Sequence, residues 1–305
     1  MCCPPLNIFT IKNITTMKKF MMAVAVALIL PNLFSCNRED DDPLSQSPAQ
    51  QDTMQQMVIH FEFPMATTLQ PMTRATLADA QLTDLWLFDY LDGSLVNTIH
   101  QTSEDVNFGA IALTADYGSH NLYFVASRGQ EPTISGTAIT WAKPSDTFWK
   151  SLALEVSPGM SASQSVELAR VVTRLRISVT DEVPATLAKL SITPAHWYYG
   201  LDYTTGEPVS DATSPRVINV PSSYVGTSGQ LSSSIYGFCG SAELTTDVIV
   251  AALASDDSQI AALMLPSVPF VRNRITSYTG QLFGHANSVN VSVGDGWDEE
   301  HAVNW

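Results

Sequence analysis

The chain has 305 residues, with 15 Lys plus Arg against 30 Asp plus Glu and a formal net charge of −15. An acidic balance of that size argues against binding a phosphate backbone, which needs a basic patch or stripe, so nucleic acid is not an expected partner. The length suits one large or two medium domains with cores of their own.

Residues 1–16 (MCCPPLNIFTIKNITT) fit neither part of an export signal. Translation is expected to start at Met17, which leaves Cys2 and Cys3 without structural meaning. Met17-Lys18-Lys19 is a short basic segment, and Met21 to Leu30 (MMAVAVALIL) is an uninterrupted apolar one. Together they form a signal-peptide pattern over residues 17–35, since a spanning helix needs about 20 apolar residues. Leu33-Phe34-Ser35-Cys36 resembles a bacterial lipobox, in which the cysteine becomes the acylated mature N-terminus. By that resemblance Cys36 carries acyl chains such as palmitate, and each buried methylene contributes about 0.8 kcal/mol of membrane affinity. The acidic run Glu39 to Asp42 and the polar SQSPAQQDTMQQ after it lack periodicity, so residues 36–55 read as a flexible tether. Acidic residues directly after a lipidated cysteine also resemble the export signal of surface-exposed lipoproteins in Gram-negative bacteria, a plain solvated spacer being the other reading. Asp52-Thr53-Met54 resembles an acceptor motif for bacterial O-glycosylation.

The body then reads as strands. Met57 to Phe63 alternates apolar with other residues at period two and stops at Pro64, predicting a first strand. Pro71 to Thr76 is loop-like. Leu85 to Tyr90 is apolar on both faces, as in a central strand, and Leu91-Asp92-Gly93-Ser94 turns it into Leu95 to Ile99 as a hairpin. Further strands are predicted at Ile111 to Leu113, Asn121 to Ala126, Leu152 to Val156 and Ser165 to Thr180. In the last, Leu175, Ile177 and Val179 share one face while Arg174, Arg176 and Ser178 share the other. Beyond Asp181 the signals resume at Leu187 to Thr193, Val217 to Val220, Ile235 to Cys239, Val248 to Leu253, Ile260 to Leu265, Ile275 to Phe283 and Val289 to Val293.

Short strands in series, punctuated by Gly, Pro, Ser and Asp, predict an all-β protein built of β-sandwiches. One sandwich holds about 100 residues, so two in tandem are expected, covering residues 56–160 and 161–305. The changeover is placed where Ser157-Pro158-Gly159 and Ser161 to Ser165 interrupt the apolar pattern, and Val166 to Val179 is the stretch that could bridge the two. Residues 78–86 or 183–190 could form a short helical turn. Cys239, among apolar and small residues, reads as a buried, inert thiol.

There is no HExxH, no GxSxG elbow, no phosphate loop and no GxGxxG, and the six histidines stand far apart. No catalytic residue, metal or cofactor is therefore expected, and the chain does not read as an enzyme. Asp295-Gly296-Trp297-Asp298-Glu299-Glu300 offers oxygen ligands without EF-hand spacing, a pattern shared by solvated acidic turns. His196-Trp197-Tyr198-Tyr199 could stack on a sugar ring or fill a core.

Three stretches together resemble the fimbrillin superfamily, and within it the anchor-type fimbrial subunits: Leu85-Trp86-Leu87-Phe88-Asp89-Tyr90-Leu91-Asp92-Gly93, Leu168 to Leu175 (LARVVTRL), and Val271 to Phe283 (VRNRITSYTGQLF). The lipobox and the closing Trp297 to Trp305 fit the same pattern. The resemblance implies two transthyretin-like sandwiches, a lipid-anchored and surface-exposed place on the outer membrane, and assembly with other fimbrial subunits by strand exchange. In stalk subunits of that superfamily a protease cuts after an arginine past the first strand, and Arg74 is the position such a protease could use here, an ordinary loop arginine being the other reading. Met57, Ile59, Phe61 and Phe63 are then the inward residues of the exchangeable strand, because removing it leaves an apolar groove with unpaired backbone groups. The residues leave a second reading open, a surface glycan-binding lipoprotein using Trp197, Tyr198 and Tyr199.

Overall fold

A computed structural model describes residues 55–64, 81–129, 132–284 and 290–293. Cys36, Asp52 to Met54, Arg74 and Asp295 to Glu300 lie outside the described residues. The strands come in chain order as β1 (Gln56–Glu62), β2 (Asp84–Leu91), β3 (Ser94–Thr102), β4 (Ala110–Asp116), β5 (Gly118–Ser127), β6 (Thr133–Ser135), β7 (Ala138–Thr140), β8 (Thr147–Val156), β9 (Ser163–Ser165) and β10 (Ala169–Arg170). They continue as β11 (Val172–Val179), β12 (Lys189–Pro194), β13 (Tyr198–Asp202), β14 (Glu207–Asp211), β15 (Arg216–Asn219), β16 (Leu231–Phe238), β17 (Leu244–Leu253), β18 (Gln259–Phe270), β19 (Ile275–Gly280) and β20 (Asn290–Val293). Among the described residues the helical content is one 3₁₀ turn, Ser222–Tyr224. Of the two segments that could form a short helical turn, residues 84–86 instead begin β2, whereas in 183–190 the Leu187 N–H donates to Pro184 O at 3.1 Å and closes a single turn before β12 begins at Lys189.

The sheets stack as two sandwiches. The first pairs a three-stranded sheet, in the order β4-β1-β9, with a five-stranded one, β10-β8-β5-β2-β3. The second pairs an eight-stranded sheet, β20-β19-β11-β16-β13-β7-β6 with β14 beside β13, with the four-stranded β15-β12-β17-β18. β2 has its first six residues buried and lies between β5 and β3, as its two-sided apolar run predicted. The β2–β3 connection is a two-residue loop in which Asp92 and Gly93 take φ of 50° and 81°. Asp-Gly is the pair that adopts these left-handed angles at low cost and keeps the twist of the flanking strands.

Each sandwich has its own core. Ile59, Phe61, Leu87, Ile111, Leu113 and Phe124 centre the first; Leu175, Ile177, Ile192, Trp197, Val250 and Phe270 centre the second. In β11, Leu175, Ile177 and Val179 point inward while Arg174, Arg176 and Ser178 are half-buried on the other face, the alternation read from the sequence. The chain passes from one sandwich to the other at Val171: β10 pairs with β8, Val171 N–H donates to Thr147 O at 3.0 Å, and β11 pairs with β16 and, in parallel, with β19. The β6–β7 hairpin leaves its sequence neighbours and pairs through β7 with β13 of the second sandwich.

A third apolar cluster joins the two bodies. Trp86, Phe88 and Val125, on the outer face of the five-stranded sheet, meet Ile139, Trp141, Leu201, Tyr203 and Phe238 of the eight-stranded sheet and its hairpin. Phe88 and Tyr203 stack at 3.8 Å between centroids with a 4° interplanar angle, and Trp141 lies 5.0 Å from Phe238. Arg170 clamps the crossover, donating from Nε (2.6 Å) and Nη2 (3.0 Å) to the Asp146 carboxylate and from Nη1 (3.1 Å) to Asn273 Oδ1. A two-pronged guanidinium–carboxylate contact fixes direction as well as distance.

Candidate functional site

β1 is the element around which the strand-exchange expectation was built. It runs antiparallel to β4 over its whole length, from Gln56↔Asp116 to Glu62↔Ala110, and parallel to β9 over three residues, His60↔Ser163 to Glu62↔Ser165. Backbone bonds extend both pairings: Tyr117 N–H to Gln55 O at 2.9 Å, His60 N–H to Ala162 O at 2.7 Å and Val166 N–H to Glu62 O at 2.9 Å. Period-two alternation then decides the faces. Ile59, Phe61 and Phe63 are 0%, 1% and 5% exposed and Met57 is half-buried against the same core, whereas Val58, His60 and Glu62 face outward. Phe61 and Phe63 both pack on Phe124 of the opposite sheet, at 5.3 and 5.4 Å between ring centroids. All four inward residues named from the sequence therefore share one face, and β1 is a central strand whose neighbours β4 and β9 lose a partner if it leaves.

β9 gave no signal in the sequence. Ser163-Gln164-Ser165 carries no apolar side chain and reads as linker, yet its backbone supplies the second edge of the slot. The only available clue was Val166, whose burial holds the segment in place.

The glycan-stacking reading of His196 to Tyr199 is corrected at its central residue. Trp197 is 0% exposed, packs edge-on against Phe270 at 5.0 Å, and donates from Nε1 to Tyr236 O at 3.0 Å. A Cβ built on Gly237 would come within 2.4 Å of the indole, so that position needs glycine for the ring to seat. Trp197 sits just ahead of β13, and a buried indole whose N–H finds a carbonyl is a core group. Tyr199 is half-buried, with Arg216 over its ring at 5.9 Å. Cys239 is a free, buried thiol whose pKa is pushed up by burial, as the sequence predicted.

Two polar constellations had no sequence signal. Inside the first sandwich His120 Nδ1 lies 2.6 Å from Asp89 Oδ1, both side chains 1% exposed, and Nε2 lies 2.9 Å from Asp116 O. The pair satisfies both ring nitrogens and ties β5 to β2, the arrangement that makes a buried polar group tolerable. At the seam, Asp202 accepts from Thr137 Oγ1 (2.7 Å), Thr204 Oγ1 (2.6 Å) and Thr204 N–H (2.8 Å). Burial works to raise its pKa, but these hydrogen bonds to the carboxylate outweigh it and hold the group below the ordinary range. Next to it, the Tyr203 phenol is pushed above its ordinary range by burial first and then by its hydrogen bond with Tyr90, whose hydroxyl lies 2.9 Å away.

Among solved structures, a fimbrial assembly protein from Parabacteroides distasonis is similar at 12% identity, covering 79% of this chain and 96% of its own, with a TM-score of 0.46. The tip fimbrial protein Mfa3 from Porphyromonas gingivalis is similar at 13% identity, covering 78% and 99%, with a TM-score of 0.43. A protein from Bacteroides thetaiotaomicron described as polysaccharide-binding gives 8% identity, 79% and 96% coverage and a TM-score of 0.49. No curated protein matches the chain. Residues 133–304, from the first residue of β6 onward and more than half of the sequence, match one family, and the chain belongs to it: the family of unknown function DUF6562.

Proposed function

We propose that this chain is a cell-surface subunit of a fimbria, of anchor or accessory type, held on the outer membrane by lipid on Cys36 and joined to other subunits through backbone strand pairing rather than catalysis. The carrying observation is β1: a short N-terminal strand lodged between β4 and β9, with Ile59, Phe61 and Phe63 filling the core. Each such side chain contributes about 1.5–3 kcal/mol when buried. A body without β1 therefore exposes an apolar slot lined by unpaired backbone, which a strand of similar alternation from a neighbour relieves. The lipobox-like Leu33 to Cys36, the acidic tether after it and the three fimbrillin-like stretches support the same reading. In the anchor form the strand stays in its own slot and the lipid stays attached; cleavage after Arg74 would release both.

Gentle extraction of the producing bacterium's outer membrane, followed by electrophoresis with and without boiling, tests the assembly. A ladder of stable polymers that contains this chain at one end and collapses on boiling is the expected result. A chain that migrates alone under every condition overturns it.

A further inference from the structure

We propose that the outer face of the five-stranded sheet, where it emerges from beside Tyr203, binds a neutral saccharide. The inference goes beyond the fimbrial reading and needs neither lipid nor strand exchange.

The face is set by register. Directly paired residues of an antiparallel sheet point the same way, so Leu95, Tyr90, Asn121 and Ala153 form one row across β3, β2, β5 and β8, and Thr98, Phe88, Tyr123 and Ser151 form the next. Both rows lie opposite the core residues Leu87, Leu122 and Phe124. Phe88 is covered by the Tyr203 ring, which rises from the turn after β13 as a wall. Beyond that wall the two rows are open: Tyr90 and Tyr123 are half-buried, while Leu95, Thr98, Asn121, Ser151 and Ala153 are exposed.

The chemistry selects the occupant. Tyr90 and Tyr123 stand edge to face at 5.7 Å, and both lie within 6.5 Å of the Tyr203 ring, so the aromatic floor is held rigid. Rigid tyrosines give amphipathic contact area at low entropic cost. Around them stand an amide, two hydroxyls and the hydroxyl of Tyr123, none of which bonds another described side chain. A chain of net charge −15 thus presents two rows of four residues each without one charged group. The nearest carboxylate along β8, Glu155, comes after Ala153 and disfavours anions further. A ligand that stacks on aromatic rings, bonds to amides and hydroxyls and carries no charge is a neutral sugar chain; an extended one also suits a flat sheet beside a wall. A charged ligand would lose hydration there with no partner to replace it.

The test titrates the full chain calorimetrically with hexasaccharides of a neutral hexose, of an N-acetylhexosamine and, as charge control, of a uronic acid. At least one neutral hexasaccharide is expected to bind, and the uronic acid to bind about tenfold more weakly or not at all. Tyr123→Ala should cost about tenfold in affinity, the scale of losing one aromatic anchor, while Tyr123→Phe keeps most of it. Because Tyr123 is partly packed, Asn121→Arg at an exposed position is the second variant: it leaves the thermal transition in place and blocks the face. Failure of every neutral hexasaccharide to bind, equal binding of the uronic acid, or unchanged affinity in Asn121→Arg overturns the proposal.

Discussion

Single residues decide how the seam between the sandwiches responds to pH and how tightly the cores close. Asp202 has a folded pKa below its unfolded value of about 4, so its contribution is present above that value and fades as pH falls through the folded one. Urea midpoints measured from neutral to acid pH should therefore fall faster in the native chain than in Asp202→Asn, which starts lower at neutral pH and changes less. At the other extreme, Tyr203 contributes in full below about pH 10 and loses its contribution as pH rises through its raised value. Phenolate absorbance should show it ionising among the last tyrosines. Tyr278, pushed up to about 12 by burial and then by the charge of Asp181, is the other late one. Trp197→Ala should cost about 3–5 kcal/mol by chemical denaturation, the range for emptying a large aromatic from a core. Gly237→Ala should be destabilising too, since backbone and indole compete for one space. Residue roles were the least legible part of the sequence. Trp197 and Tyr123 are both aromatic, one just before β13 and the other within β5, yet the first is sealed in the core and the second lines an open face. Only strand pairing and the packing of the sandwiches decide which.

At the scale of elements the sequence was far more legible, because period two marks a half-buried strand wherever a core exists on one side. β1 and β11 were readable for that reason, and β2 from an apolar run bounded by a turn, the mark of a strand buried on both faces. β6 and β9 were not: three residues are too few to show a period, and these strands are held by neighbours rather than by their own side chains. β10 falls inside the stretch read as one strand, Ser165 to Thr180, which the structure divides at Val171 between two sheets. β18 was read too short, as Ile260 to Leu265, because Pro266 and Pro269 look like a stop; the strand continues past them at the edge of its sheet, where a missing N–H is tolerated. The element-scale prediction concerns β1. Phe61→Ala removes a ring that touches Phe124 and should cost about 3–5 kcal/mol, whereas Val58→Thr, on the exposed face of the same strand, should change stability by less than about 0.5 kcal/mol. Equal effects from the two would mean that β1 does not rest in its slot as described.

For the whole molecule the question is how two sandwiches behave as one body. The cluster of Trp86, Phe88, Trp141, Tyr203 and Phe238 is apolar and aromatic, and interfaces of that kind suppress relative domain motion. The native chain should therefore unfold in one calorimetric transition. Phe88→Ala, which removes the ring stacked on Tyr203, should split that transition or broaden it, while Arg170→Ala should lower it without splitting. An all-β, two-sandwich body was legible from strand count and turn spacing. The seam was not, since it is assembled from positions far apart in the chain, such as Phe88 and Tyr203, whose partners appear only once the sheets are built.

The proposal that bears most weight is that this body is carried on the cell surface by acyl chains at Cys36 while its first strand stays in place. The most direct measurement is the mass of the N-terminal peptide of the native protein taken from the producing bacterium. The account predicts a mature chain that begins at Cys36 with the added mass of its acyl chains. A chain starting at Ala75, or one carrying an unmodified Cys36, would contradict it.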